Sequence, residues 1–380
     1  MGKFIPLSVP NISGNEIKYV TKALKEEWVS TAGACIDQFE DAVSRYVGSK
    51  GAVACQSGTA GLHLALKVCG VEQGDEVIVP TLTFIAAVNP VKYLGAEPVF
   101  MDCDDGLTLD AQKLESFLRE ECVLNNSAVV NKKSGRTIKA IVVVHVFGNM
   151  ADMTAIMKIA KEYNLKVVED ATEALGTHYI DGKFANAFAG TIGDIGVYSF
   201  NGNKIITTGG GGMIVSNNEQ YLTQFKYLST QAKDDVIYFV HNDIGYNYRM
   251  TNIQAAIGLA QLEQLECFIE MKRKNYEQYL KEHIELLGFR HNIRSNKWFY
   301  SYISEDRDGL IRYLSEQKVQ TRPVWKLIHT QLPYRKNYAY KIERAQLYYD
   351  KIVNLPCSTN LAAEDVTKVA DLIRVYEKGK

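Results

Sequence analysis

No run in the sequence approaches the ~18 apolar residues of a membrane-spanning helix. The opening MGKFIPLSVP lacks the apolar stretch of a secretory signal. It begins Met-Gly, yet Pro6 stands where a myristoylation signal wants Ser or Thr. A charge surplus is also missing, since 43 Lys and Arg face 44 Asp and Glu for a net charge of -1. That speaks against the basic face of a nucleic-acid binder and against an acidic disordered tail. The seven cysteines run from Cys35 to Cys357 without a CxxC pair, which favours reduced thiols over a disulfide frame or a zinc site. No repeat or low-complexity tract occurs. These absences leave a cytoplasmic protein with no metal, no membrane and no nucleic acid among its expected partners.

What is present is ordinary core material, with 46% hydrophobic and 23% charged residues. A length of 380 residues exceeds the usual single core, so two domains are expected. From residue 52, seven short apolar runs alternate with amphipathic stretches: 52–55, 76–80, 98–102, 140–145, 166–170, 195–200 and 212–216. Most are continuous rather than alternating in polarity, as strands buried on both faces of a largely parallel sheet are. Helical patterns such as 59–68 and 153–164 lie between them, so the fold class is α/β. Ligands on such sheets bind beyond the carboxyl ends of the strands, where His145, Asp170 and Ser199 fall. Residues 121–137 are polar and turn-forming and read as a surface excursion. Residues 252–287 read as one long helix with apolar residues three and four apart. It would lead from a large domain, 1–250, into a smaller C-terminal one, 251–380.

One residue raises a chemical question. Lys204 lies in GDIGVYSFNGNKIITTGGGGMIV between an apolar run and four glycines, with no acid close behind it. A lone loop lysine is most often a solvated charge. A Walker phosphate loop fails, because Asn203 separates Gly202 from Lys204 and Ile205 follows. The remaining chemistry is a Schiff base with an aldehyde cofactor, and pyridoxal phosphate asks three things of a protein. It needs an amine, a carboxylate for its ring nitrogen and an anion site for its phosphate. Asp170, ending the run KVVED, offers the carboxylate, although an acid there is commonly a helix cap. The turn Ser57-Gly58-Thr59, passing from a strand into a helix, offers free N–H groups and the helix dipole. Ser199 adds a hydroxyl, and Phe84 offers an aromatic face for the ring or simply packs in the core.

In this order, SGTAGLHLAL, TFIAAVNP, VHVFGN, VVEDATEALG, the Lys204 segment and GYNYRMTNIQAAIGLAQLEQL resemble the sugar aminotransferases of the DegT/DnrJ/EryC1/StrS family. The resemblance implies the fold-type I architecture of pyridoxal-phosphate enzymes: a mainly parallel seven-stranded sheet flanked by helices, with a smaller C-terminal α+β domain. It implies pyridoxal 5′-phosphate as cofactor, with pyridoxamine phosphate as its intermediate form, and a homodimer with shared active sites. Lys204 becomes the Schiff-base lysine and Asp170 the partner of the ring nitrogen. Phe84 covers the ring, Gly58, Thr59 and Ser199 surround the phosphate, and Asn247 reaches it from the neighbouring subunit. Glu173 and Asn201 depart from the family, which often has Gln or His at the first and His at the second. A carboxylate at 173, beside the cofactor's phenolic oxygen, must be protonated or turned aside.

IPLSVPNISGNE, EEWVSTAG and RPVWKLIHTQLPY resemble the subgroup acting on UDP-linked 4-keto-6-deoxy-N-acetylhexosamines in nonulosonate pathways. That resemblance assigns Trp28, Ser30, Trp325 and His329 to the sugar-nucleotide pocket, with L-glutamate as amino donor. The alternatives are a dTDP- or GDP-linked keto-sugar, a sugar dehydratase on the same fold, or a non-catalytic sugar-binding regulator. The dehydratases typically carry histidine in place of the lysine, and a regulator would shed the lysine or the phosphate turn. Lys204 and Ser57-Gly58-Thr59 are both present.

Overall fold

A computed structural model describes residues 3–125 and 128–379. The Met-Gly start and the centre of the 121–137 segment, Asn126 and Ser127, lie outside the described residues.

The apolar runs pair into one sheet because each offers two buried faces. In the strand Thr137–Val144, Val142 and Val144 join the core on one side, while Ile141 and Val143 join the core on the other. In chain order the N-terminal half contains α1 (Glu16–Lys25), α2 (Ala34–Val47), β1 (Gly51–Cys55), α3 (Gly58–Val68), β2 (Glu76–Pro80), α4 (Asn89–Tyr93), β3 (Glu97–Met101) and α5 (Ala111–Glu121). There follow β4 (Cys122–Asn125), β5 (Ala128–Asn131), β6 (Thr137–Val144), α6 (Met153–Glu162), β7 (Lys166–Asp170), β8 (His178–Tyr179), β9 (Ile195–Ser199) and β10 (Gly212–Ser216). The sheet runs β1-β10-β9-β7-β6-β2-β3, the seven strands expected. Pairs from β9 to β3 are parallel, whereas β10 is antiparallel to both β9 and β1.

Two expectations are corrected. The excursion at 121–137 contains an antiparallel hairpin, β4 with β5, and β5 extends the sheet beside β6. With β16 (Ala339–Tyr340) beside β3, the sheet has ten strands among the described residues. The polar residues sit on a half-exposed edge, where one face needs no apolar side chain.

The long helical pattern is also two helices, α8 (Asn252–Leu262) and α9 (Leu265–Lys281). α8 begins with a capping box between Thr251 and Gln254. The chain turns at Glu263–Gln264, where the Glu263 carboxylate accepts from Asn15 and Tyr19. The apolar spacing continues through the turn, so periodicity alone does not expose it. α8 packs on α1 and α2, and α9 packs on the C-terminal helix. Between β10 and α8 come α7 (Glu219–Ser229) and an exposed ribbon of β11 (Lys233–Asp235) and β12 (Val240–His241).

The C-terminal part adds β13 (Ile293–Arg294), β14 (Tyr300–Ile303), α10 (Arg307–Glu316), β15 (Arg322–Pro323), α11 (Arg344–Lys351), β17 (Ile352–Leu355) and α12 (Ala363–Lys378). β14, β17 and β15 form a separate three-stranded sheet. The buried carboxylate of Asp102, just after β3, joins this part to the main sheet. It accepts the N–H groups of Glu343, Arg344 and Ala345 at 2.7–2.9 Å and the Lys113 ammonium at 2.6 Å. Among the described residues no helix is long and apolar enough to cross a membrane. All seven cysteines are free.

Candidate active site

A cavity of about 260 Å³ opens at the carboxyl ends of β1, β7 and β9 and is lined by Ser57, Gly58, Thr59, Asp170, Ser199 and Lys204, among others. At its floor, α3 starts from the N-cap Ser57, whose Oγ accepts the Ala60 N–H at 3.1 Å. The first N–H groups of a helix have no partner within it, so this floor attracts an anion. The floor is tight: a Cβ on Gly58 would meet Ser199 Cβ and Thr172 Cγ2 at 3.0 Å. A Cβ on Gly212 would lie 2.7 Å from the backbone of Ser57.

Lys204 rides on a tied loop between β9 and β10. Its own N–H donates to Asn201 O at 3.0 Å, and Thr208 N–H donates to Phe200 O at 2.9 Å. Gln254 Nε2 holds Gly210 O at 2.9 Å, while Gln261 Oε1 accepts Thr207 N–H at 3.1 Å. The indole N–H of Trp298 donates to Asn203 O at 2.8 Å, and Lys204 Nζ lies 4.2 Å from that ring's centroid. The amine is thus aimed by both the large sheet and the C-terminal part.

Asp170 is buried at the end of β7, and burial raises its carboxyl above the ordinary range although Thr172 and Lys204 oppose the shift. Its Oδ1 accepts the Thr172 N–H at 3.1 Å. Glu173 Oε1 lies 3.7 Å from Lys204 Nζ, and its Oε2 accepts the Phe147 N–H at 2.8 Å. Burial pushes the Glu173 carboxyl up to about 7 despite the cation beside it. No acid lies close behind Lys204 in sequence, and the acid beside it in space comes from 31 positions earlier in the chain. Phe84, half-exposed, and Trp325 form an aromatic wall with ring centroids 6.4 Å apart.

A family model for the DegT/DnrJ/EryC1/StrS aminotransferase family matches residues 10–374. The chain belongs to that family. It is an enzyme, an aminotransferase. The chain is 37% identical to the GDP-perosamine synthase of Escherichia coli O157:H7, covering 100% of both proteins. It is 29% identical to the UDP-4-amino-4,6-dideoxy-N-acetyl-beta-L-altrosamine transaminase of Campylobacter jejuni, over 99% of this chain and 98% of that protein. The crystal structure of a family aminotransferase from Brucella abortus superposes with a TM-score of 0.87 at 28% identity, covering 95% of each chain.

The aminotransferase places other residues named from sequence elsewhere. Asn247 is exposed and bridges Thr230, away from the cavity. Trp28 and Ser30 are exposed, and their carbonyls accept from Asn252 at 2.7 and 2.6 Å. His329 is half-buried beside Phe100, its Nδ1 2.6 Å from Thr81 Oγ1, and burial lowers its proton affinity. His145 is buried against Glu169, with Nε2 2.8 Å from Oε2. None of these five is among the lining residues. Thr172, Asn203, Trp298 and Phe299 do line the cavity and escaped the sequence reading. Trp298 lies 94 positions from Lys204 in a segment with no motif, so only the fold connects them.

Proposed function

We propose that this aminotransferase uses pyridoxal 5′-phosphate to move the amino group of L-glutamate to the 4-keto carbon of a UDP-linked 6-deoxy-N-acetylhexosamine. The observation that carries the cofactor reading is the single cavity joining a lysine amine, two buried carboxylates and a helix N-terminus. The residues fit the group, since the start of α3 at Ser57-Gly58-Thr59 brings unpaired N–H groups to the same cavity as Ser199 and Lys204. When bound, the cofactor supplies an aldehyde that takes up the amino group and a ring that stores an electron pair.

Lys204 Nζ would hold the cofactor's aldehyde carbon, and as a free amine it would carry a proton to and from the donor's α-carbon. Asp170 would hold the proton of the ring nitrogen. Gly58 and Thr59 N–H groups and the Ser199 hydroxyl hold the phosphate. Phe84 and Trp325 shape the ring face and the sugar side, where Trp28, Ser30 and His329 join them. The last three lie outside this chain's cavity, so their assignment rests on the family resemblance alone. Asn247 acts on the phosphate of a partner copy. Val236, Ile237 and Tyr238 on the β11–β12 ribbon are 74%, 74% and 80% exposed, which suits burial against a second copy. The division into domains 1–250 and 251–380 and the cytoplasmic location belong to the same proposal.

A GDP-linked sugar is the second reading, favoured by the higher identity to a GDP-perosamine synthase. The test supplies UDP-, GDP- and dTDP-linked 4-keto-6-deoxy sugars with L-glutamate and follows amino-sugar and 2-oxoglutarate by mass spectrometry. The UDP-linked N-acetyl sugar is expected to show the highest kcat/KM. Preference for the GDP sugar moves the assignment to the second reading, and no turnover of any overturns both.

A further inference from the structure

Glu173 sits where a carboxylate confronts the reacting amine, and its surroundings are built to hold it there. Oε2 is fixed by the N–H of Phe147, a residue with the left-handed φ of 56°. The Glu173 backbone carbonyl accepts from Asn296 Nδ2, which also holds Leu175 O. The charged groups facing the carboxylate are Lys204 and Asp170. Two carboxylates and one ammonium in a buried chamber carry one excess negative charge, so one acid favours a proton. Asp170 is the partner of the ring nitrogen in the proposed function and must stay ionised to keep that nitrogen protonated. Glu173 is left as the carboxylate able to take a further proton, and Lys204 is the cation beside it.

We propose that Glu173 is the proton partner of Lys204: its carboxylate takes the ammonium proton when the lysine turns nucleophile and returns it when the amine is released. The N–H bond of the ammonium breaks, an O–H bond forms on Glu173, and both side chains become neutral with no change in total charge. The 3.7 Å separation must close by a rotation of either side chain, and such contacts are commonly long before ligand binds. A carboxyl lifted to about 7 is matched to this exchange near neutral pH.

This inference rests on the proposed role of Lys204, and its test separates the two. Lys204 acetylation by acetic anhydride is measured by peptide mass spectrometry between pH 6 and 9, beside borohydride-trapped capture of pyridoxal 5′-phosphate. In the wild type both rates should level off above about pH 7, where Glu173 has lost its own proton and can take the one on Lys204. Glu173→Gln keeps the acceptor for Phe147 but cannot take a proton, so both rates should pass pH 7 without levelling off. Glu173→Asp should keep the plateau at a lower rate, and it carries the comparison if the Gln variant fails to fold. Matching profiles in wild type and Glu173→Gln, or a rising profile in Glu173→Asp, overturn the inference. Normal acetylation of Lys204 without cofactor capture overturns only the cofactor reading.

Discussion

The indole N–H of Trp298 donates to the carbonyl of Asn203 at 2.8 Å, one residue before Lys204, while its ring lies 4.2 Å from the Lys204 amine. One side chain from the C-terminal part therefore fixes the lysine's backbone and covers its head. The aromatic face favours a nearby cation without competing for its proton.

Trp298→Phe keeps the face and removes the hydrogen bond. It should cost about 1 kcal/mol in urea unfolding and lower kcat more than it raises KM. An unchanged kcat would mean that the loop holds Lys204 without this contact.

The proposed phosphate floor is checked at Gly212, whose missing Cβ admits the Ser57 backbone. Gly212→Ala should force β10 from the start of α3, cost roughly 1–3 kcal/mol and weaken cofactor affinity on the order of tenfold or more. Equilibrium dialysis against pyridoxal 5′-phosphate measures the second effect, and thermal unfolding the first.

Asp102 links the main sheet to α11. Burial opposes its ionisation, but Lys113 and three backbone N–H groups outweigh that and hold its carboxyl below the ordinary range. A depressed native value stabilises the fold above the unfolded value of about 3.9, and the gain is lost as pH falls through the native value. Urea unfolding from pH 3 to 7 should show a shallower acid loss for Asp102→Asn. That variant should also be less stable at pH 7, by on the order of 3 kcal/mol.

The paired substitutions Ile237→Asp and Tyr238→Asp should convert a solution dimer into monomers in sedimentation runs, with the melting temperature of the monomer retained. A wild-type monomer would contradict the shared-site proposal.

Local chemistry made much of this structure legible. The seven sheet strands were readable because each run is apolar on both faces, and α3 was readable from Ser57-Gly58-Thr59 followed by an apolar helix. The β4–β5 hairpin was not, because its polar edge imitates a loop; Val123, Val129 and Val130 were the weak signal. The α8–α9 turn was hidden by an unbroken apolar period. Within the cavity, Lys204, Asp170 and the Ser57-Gly58-Thr59 turn were brought together in sequence by the demands of one cofactor, and the fold places them side by side. Trp298 and the Lys204–Glu173 contact do not, since only tertiary packing brings them together.

The central claim is that Lys204 is the residue bonded to the cofactor. Purified protein incubated with pyridoxal 5′-phosphate, reduced with borohydride and digested should yield one modified peptide carrying the phosphopyridoxyl mass on Lys204. Lys204→Ala should abolish both that peptide and amino transfer. A modification on another lysine, or parental turnover by Lys204→Ala, would contradict the account.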